Sequence, residues 1–117
     1  MSYVDGFVLA VESAKREEYK KFAEKFAPIF KEFGALSVVE TWGVDVPEGK
    51  LTSFPIAVQC KENETVVFSW IIWPSKEVRD VAWKKMEESP MFDPVSNPMP
   101  FDGKRMIFGG FEKIVDA

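Results

Sequence analysis

The chain has 117 residues, of which 46% are hydrophobic and 15% aromatic; that is enough for one domain with a real core, and it excludes a disordered or low-complexity protein. A balance of 15 basic against 19 acidic residues, with a pI near 4.9, argues against a protein that grips a phosphate backbone. With no histidine and a single cysteine, Cys60, there is no Ser–His–Asp or Cys–His catalysis, no His-ligated haem or zinc, no thiolate metal site and no internal disulfide.

Residues 3–11 (YVDGFVLAV) alternate, with Tyr3, Asp5, Phe7, Leu9 and Val11 on one face and Val4, Gly6, Val8 and Ala10 on the other. They predict a first strand with one bulky face and one small face, the small one suited to close helix packing. Ser13 is placed to cap the helix that follows, with Glu17 and Glu18 near its positive end. Tyr19, Phe22, Phe26, Ile29, Phe30 and Phe33 recur at three- and four-residue steps and predict one buried stripe, while Lys20, Lys21, Glu24 and Lys25 read as a solvated face. Pro28 is expected to kink this helix or split its last turn, and Gly34 to end it as a left-handed cap.

Residues 35–43 (ALSVVETWG) predict a second strand, with Leu36, Val38, Glu40 and Trp42 on one face. The connection 45–63 carries Pro47, Gly49 and Pro55, and its run 56–60 reads as a short extra edge strand. Residues 65–73 are apolar on both alternating sets, interrupted by Ser69, as expected of a central strand covered on both sides. Pro74 stops it, and Ser75 reads as the N-cap of a helix starting at Lys76 whose buried stripe is Val78, Val81, Ala82 and Met86, with Trp83 at its edge. Residues 89–103 hold four prolines beside Met91, Phe92, Met99 and Phe101, a composition that predicts an ordered flap. A last strand over 104–115 closes the chain, starting near Arg105, with Gly109 and Gly110 marking a bulge or a close backbone approach.

Strand–helix–strand repeated twice is the order of a single-domain α+β protein of ferredoxin-like βαββαβ type: a four-stranded antiparallel sheet with both helices on one face. The other face would then carry large apolar side chains from the first and third strands, more than a soluble monomer exposes. A homodimer packed face to face is expected, burying on the order of 2,000 Å² or more.

YVDGF at 3–7, VVETWG at 38–43, ETVVFSWIIWPS at 64–75 and MPFDGKRMIFGGFEKIVDA at 99–117 together resemble the YbaA-like bacterial family of unknown function. The resemblance spans essentially the whole chain. It implies membership of the dimeric α+β barrel superfamily, where two ferredoxin-like sheets pack face to face, and it implies no particular activity. Relatives in that superfamily include cofactor-free monooxygenases, isomerases and haem enzymes; the absence of histidine disfavours the last, and no cofactor is expected here.

The polar residues left on apolar strands are the chemical candidates. Asp5 and Glu40 share strand faces with Tyr3 and Phe7, and with Val38 and Trp42. If those faces line the space between two sheets, either carboxylate would be desolvated, with a raised pKa, and fit to act as a general base. The structural alternative pairs one of them with Arg105 or with a cation of a second copy, fixing dimer register. Tyr3, Trp42, Phe68, Trp70 and Arg105 are the candidate ligand contacts; the tryptophans could be walls for a planar organic molecule, but in so aromatic a chain core and interface is the favoured reading for each of them. No residue set has metal-ligand spacing, and Cys60 reads as an inert small side chain. Three readings follow: a homodimer binding a small organic molecule in an apolar pocket, a cofactor-independent monooxygenase or isomerase with Asp5 or Glu40 as base, and a structural dimer with no pocket. No leader and no apolar run near the roughly 20 residues of a membrane span is seen, so a cytoplasmic protein without nucleic-acid or membrane partners is expected.

Overall fold

The computed structural model describes residues 2–117. Strand β1 (Tyr3–Glu12) runs through a 3-10 turn into helix α1 (Arg16–Glu32), then strand β2 (Ser37–Trp42). A single helical turn α2 (Phe54–Ala57) precedes strand β3 (Glu64–Trp73) and helix α3 (Lys76–Glu88), and strand β4 (Ile107–Glu112) follows the proline-rich segment. All four strands form one antiparallel sheet in the order β2-β3-β1-β4. β1 and β3 pair along their whole length, Tyr3 opposite Trp73 and Glu12 opposite Glu64, and so form the centre of the sheet.

Several local expectations hold, for the reasons given. Ser75 caps α3, its Oγ accepting the Val78 N–H at 3.2 Å. Gly34 has φ +114°, and the N–H groups around it close the end of α1, Ala35 donating to the Phe30 carbonyl at 3.0 Å. Others are corrected. Ser13 does not cap α1; its hydroxyl lies 2.7 Å from that of Thr65 and ties the turn to β3. Pro28 does not split α1, which continues through it to Glu32. Residues 56–60 form no edge strand. Pro55 sits in the first turn of α2, where its missing N–H is not needed, and Ser53 accepts the Ile56 N–H at 3.1 Å, so the local chemistry favours a helical turn. Val81 is exposed, whereas Ala82 and Met86 are buried.

The faces of β1 are used the other way round from expectation. Leu9 and Val11 are buried with Tyr19 of α1 and Val67 of β3, and Ile71 and Trp73 are buried with Ala82 and Met86 of α3. The helices therefore cover the bulky face that carries Tyr3, Asp5, Phe7, Leu9 and Val11. Helix and sheet axes stand about 10 Å apart, and large side chains are needed to fill that gap at native density. On the small face, Val8 and Ala10 are buried with Val66 and Val58, because the connection after β2 folds over that end of the sheet. The rest of this face is an apolar trough of about 700 Å³, bordered by Phe68 and Trp70 of β3 and by Ile107 and Phe111 of β4. Phe68, Trp70, Ile107, Phe108 and Phe111 of the third and fourth strands supply most of its bulk; β1 contributes Val4, Gly6, Phe7 and Val8.

The proline-rich segment is ordered against α1. Phe92 stacks at 5.0 Å from Phe26 and 5.6 Å from Phe30, and Phe101 lies 5.9 Å from Tyr19 and 6.1 Å from Phe22. Asn97 is held to α1 by Lys25, whose Nζ donates to Oδ1 at 2.5 Å. β4 starts at Ile107, later than expected, because Gly103–Arg105 forms a 3-10 turn capped by Asp102. No bulge interrupts β4: its register against β1 is regular from Ile107 to Glu112. Gly110 serves close approach instead, since a Cβ there would run into the Tyr3 ring.

Candidate functional site

Asp5 is 2% exposed and belongs to a closed polar cluster. Its carboxylate accepts the indole N–H groups of Trp73 and Trp83, each at 2.9 Å. Arg79 of α3 adds its Nε at 3.1 and 3.2 Å to the two oxygens and its Nη2 at 3.0 Å. The guanidinium also lies 5.4 Å from the Tyr3 ring centre and 5.8 Å from that of Trp83. Every lone-pair direction of Asp5 is thus committed, and the cluster bolts α3 to the edge of β1 and β3. The cation is Arg79, which reading along the sequence did not single out. Its position one helical turn into α3, four residues after Ser75, is the signal that could have found it.

Arg105 is engaged elsewhere. It makes a bidentate pair with Glu64, both N···O distances 2.7 Å, and also reaches Asp102 at 3.1 Å. The Arg105 guanidinium holds the Glu64 carboxyl far below its ordinary 4.5, at about 2. This network ties the start of β3 to the turn before β4.

Glu40 has a different environment. It lies on the helix-bearing face of β2, directly opposite Ser69 of β3. Tyr19 of α1 donates its hydroxyl to Glu40 Oε1 at 2.6 Å, and Ser69 adds a second hydrogen bond. None of the ion pairs among the described residues includes Glu40. Glu40 is exposed to solvent and borders two hollows, with Tyr19 and Ser69 against the inner side of its carboxylate. Burial pushes its pKa above the usual range, and the hydrogen bonds from Tyr19 and Ser69 pull only partly against this. Burial, with the Glu40 charge beside it, pushes the Tyr19 phenol well above its ordinary range, so it remains a donor.

The first hollow is a cavity of about 230 Å³ between the sheet, α1, α3 and the proline-rich segment. Its walls are apolar and aromatic: Phe22, Phe26 and Phe30 from α1, Phe92 and Phe101 from the flap, Trp83 from α3. Polar groups enter it only from Tyr19, Glu40, Ser69 and Asn97 and from the Trp83 indole, whose N–H is spent on Asp5. The second hollow is a surface groove on the outer side of Glu40, where Arg16, Lys20, Glu24 and Trp42 stand. Arg16 lies over the Trp42 ring at 5.7 Å.

The candidates named from the sequence are thus spread over the molecule. Glu40 borders the cavity, and Trp42 shares the outer groove with it. Phe68 and Trp70 line the trough on the opposite side of the sheet. Tyr3 stands over Arg79 beside Asp5, and Arg105 closes a polar depression with Glu12, Lys15 and Lys61. Tyr19, Ser69 and the flap aromatics complete the Glu40 site. Ser69 carried a visible signal as the one polar residue in the central strand; Tyr19 did not, since its spacing reads as core.

No three His, Cys, Asp or Glu side chains among the described residues converge on a point fit for a metal ion. No helix among them is long and apolar enough to cross a membrane. Fold and site together define a mixed α+β protein with one antiparallel sheet and an aromatic cavity on its helix side, bordered by one carboxylate. Residues 2–103 match the family described as "Protein of unknown function (DUF1428)", and the chain belongs to that family. It is 60% identical over 116 residues to the "Uncharacterized protein YbaA" of Escherichia coli strain K12, with 99% of each chain covered. The proteins of the same description from Escherichia coli O157:H7 and Shigella flexneri show the same identity and coverage.

Proposed function

We propose that this protein binds a small organic molecule, one per chain, in the cavity between sheet and helices. The observation that carries this reading is the cavity itself: about 230 Å³ walled by aromatic rings with one hydrogen-bonded carboxylate at its end. An apolar space of about 150 Å³ is enough to hold benzene, so a substituted single ring is the size class that fits. No cofactor is required. Thermal-shift and ligand-observed NMR screening with single-ring compounds tests the reading; the expected result is saturable binding that perturbs the Trp83 indole N–H. Failure of every single-ring compound to bind would refute it.

The strand order and the helix placement support a ferredoxin-like sandwich, and the apolar trough supports a homodimer of the dimeric α+β barrel kind, with the open faces of two copies in contact. Phe68 and Trp70 would then be interface residues. The expected species in native mass spectrometry has twice the 13.4 kDa chain mass. Phe111→Glu, on an exposed side chain of the trough, should convert it to a folded monomer; a monomeric parent protein would refute the assembly.

The raised pKa of Glu40 favours a second reading, in which the carboxylate removes a proton from the bound molecule as a cofactor-independent enzyme does. Turnover of any bound compound that follows the ionisation of Glu40 and is abolished by Glu40→Gln would favour this reading over simple binding.

A further inference from the structure

Each of the two other carboxylates drawn into the fold has its own cation. Asp5 has Arg79 at 3.0 Å, and Glu64 has Arg105 at 2.7 Å. Glu40 has two neutral donors, Tyr19 and Ser69, and no ion pair. No basic side chain lines the cavity it borders. The basic groups of α1 stand outside: Arg16 over Trp42 and Lys20 beside it in the outer groove, with Glu24 there to offset them, and Lys25 bonded to Asn97. The Tyr19 phenol stays neutral, and β3 and α3 present only Ser69, Ile71 and Trp83 to the cavity. Glu40, exposed to solvent on its outer side, is thus the one charged side chain on the cavity lining, and no cation stands there with it.

The walls suit the same kind of guest. Phe22, Phe26, Phe30, Phe92, Phe101 and Trp83 line the space, and aromatic ring faces attract cations. We propose that the molecule bound in this cavity is an organic cation, an amine or ammonium group on a single ring or a compact aliphatic body, with the charged nitrogen at Glu40. This rests on the reading that the cavity holds a ligand at all. An anion of the same size meets an unneutralised carboxylate, and a neutral alcohol forms a hydrogen bond without the charge. Both groups can donate to the carboxylate, but only the ammonium adds the attraction of opposite charges, which is expected to favour it by about tenfold in affinity.

The test uses the full chain and three probes of equal size: benzylamine, benzyl alcohol and benzoate, titrated at pH 7.5 by calorimetry with the Trp83 indole N–H followed by NMR. Benzylamine should bind about tenfold more tightly than benzyl alcohol, and benzoate should not bind measurably. Glu40→Gln should lower amine affinity far more than alcohol affinity, so that the preference for the amine disappears. The unsubstituted protein supplies a second measurement that does not depend on the variant folding: as pH falls and Glu40 takes up its proton, amine affinity should drop more steeply than alcohol affinity. Alcohol binding equal to or tighter than amine binding, benzoate binding tightest, or an amine preference that survives in Glu40→Gln, would overturn the cation inference and leave the cavity reading intact. Binding of none of the three would overturn both.

Discussion

Replacing Asp5 by Asn tests whether that carboxylate is a structural clamp. Asn keeps the shape and one carbonyl oxygen but turns an amide N–H2 towards donors: two indole N–H groups and a guanidinium. It also leaves Arg79, whose side chain is only 22% exposed, without its counter-charge. Removing one partner of a buried pair costs about 3–5 kcal/mol, and the partial access of Arg79 to water points to the lower end, about 3 kcal/mol. Unfolding entropy near 2.1 cal/mol/K per residue, over 117 residues, is roughly 0.25 kcal/mol/K, so the melting temperature should fall by about 12 °C. Differential scanning calorimetry at one fixed protein concentration reads this directly, the fixed concentration guarding against any association effect. Arg79→Met should cost less, about 2 kcal/mol, because Asp5 keeps both indole donors. The double substitution should cost about 1–2 kcal/mol less than the two single effects added, since each removes the same contact. A fall of under about 4 °C for Asp5→Asn, or strict additivity in the double substitution, would refute the clamp and return Asp5 to the list of candidate bases.

The Glu64–Arg105 pair sets an acid limit on stability. Glu64 is held at about 2 in the folded chain against an ordinary 4.5, so its contribution is complete above 4.5 and is lost as pH falls through that window towards 2. Little of either side chain is accessible (6% and 15%), but few other protein atoms surround Glu64, so solvent still screens the pair and about 1–2 kcal/mol is expected. Urea denaturation at pH 6 and pH 3 should show a loss that is smaller by that amount in Glu64→Gln; an unchanged pH dependence would contradict it. Gly110→Ala should destabilise by about 1–3 kcal/mol through collision with the Tyr3 ring, and Tyr3→Leu should recover part of it, as judged by thermal melts of the three variants. Full stability of Gly110→Ala would show that the ring moves aside freely.

Much of the fold was legible because its signals are local. The alternation of 3–11 and 65–73, the Ser75 cap, the Gly34 terminus and the stripe of α1 each depend on contacts within a few residues, and each element formed where its signal lies. The misread turn 56–60 was local too: Ser53 and Pro55 are helix-start residues, and apolar content outweighed them in the reading. The face of β1 that meets the helices was a different kind of problem. Alternation separates two faces, but which one is covered depends on how much volume the neighbouring layer leaves to fill.

The sequence alone determined most of the elements, their order and the absence of histidine chemistry, because backbone propensity, capping and composition act over short distances or over none. The tertiary structure decided which charges meet. Asp5 and Arg79 are 74 residues apart, and Glu64 and Arg105 are 41 apart; nothing in either local stretch says that they pair. It also decided that Glu40 meets Tyr19 and Ser69 and no cation, at the end of an aromatic cavity. A carboxylate becomes structural or available according to what surrounds it in space, and that neighbourhood exists only once strand register and helix docking have brought distant residues within hydrogen-bond reach.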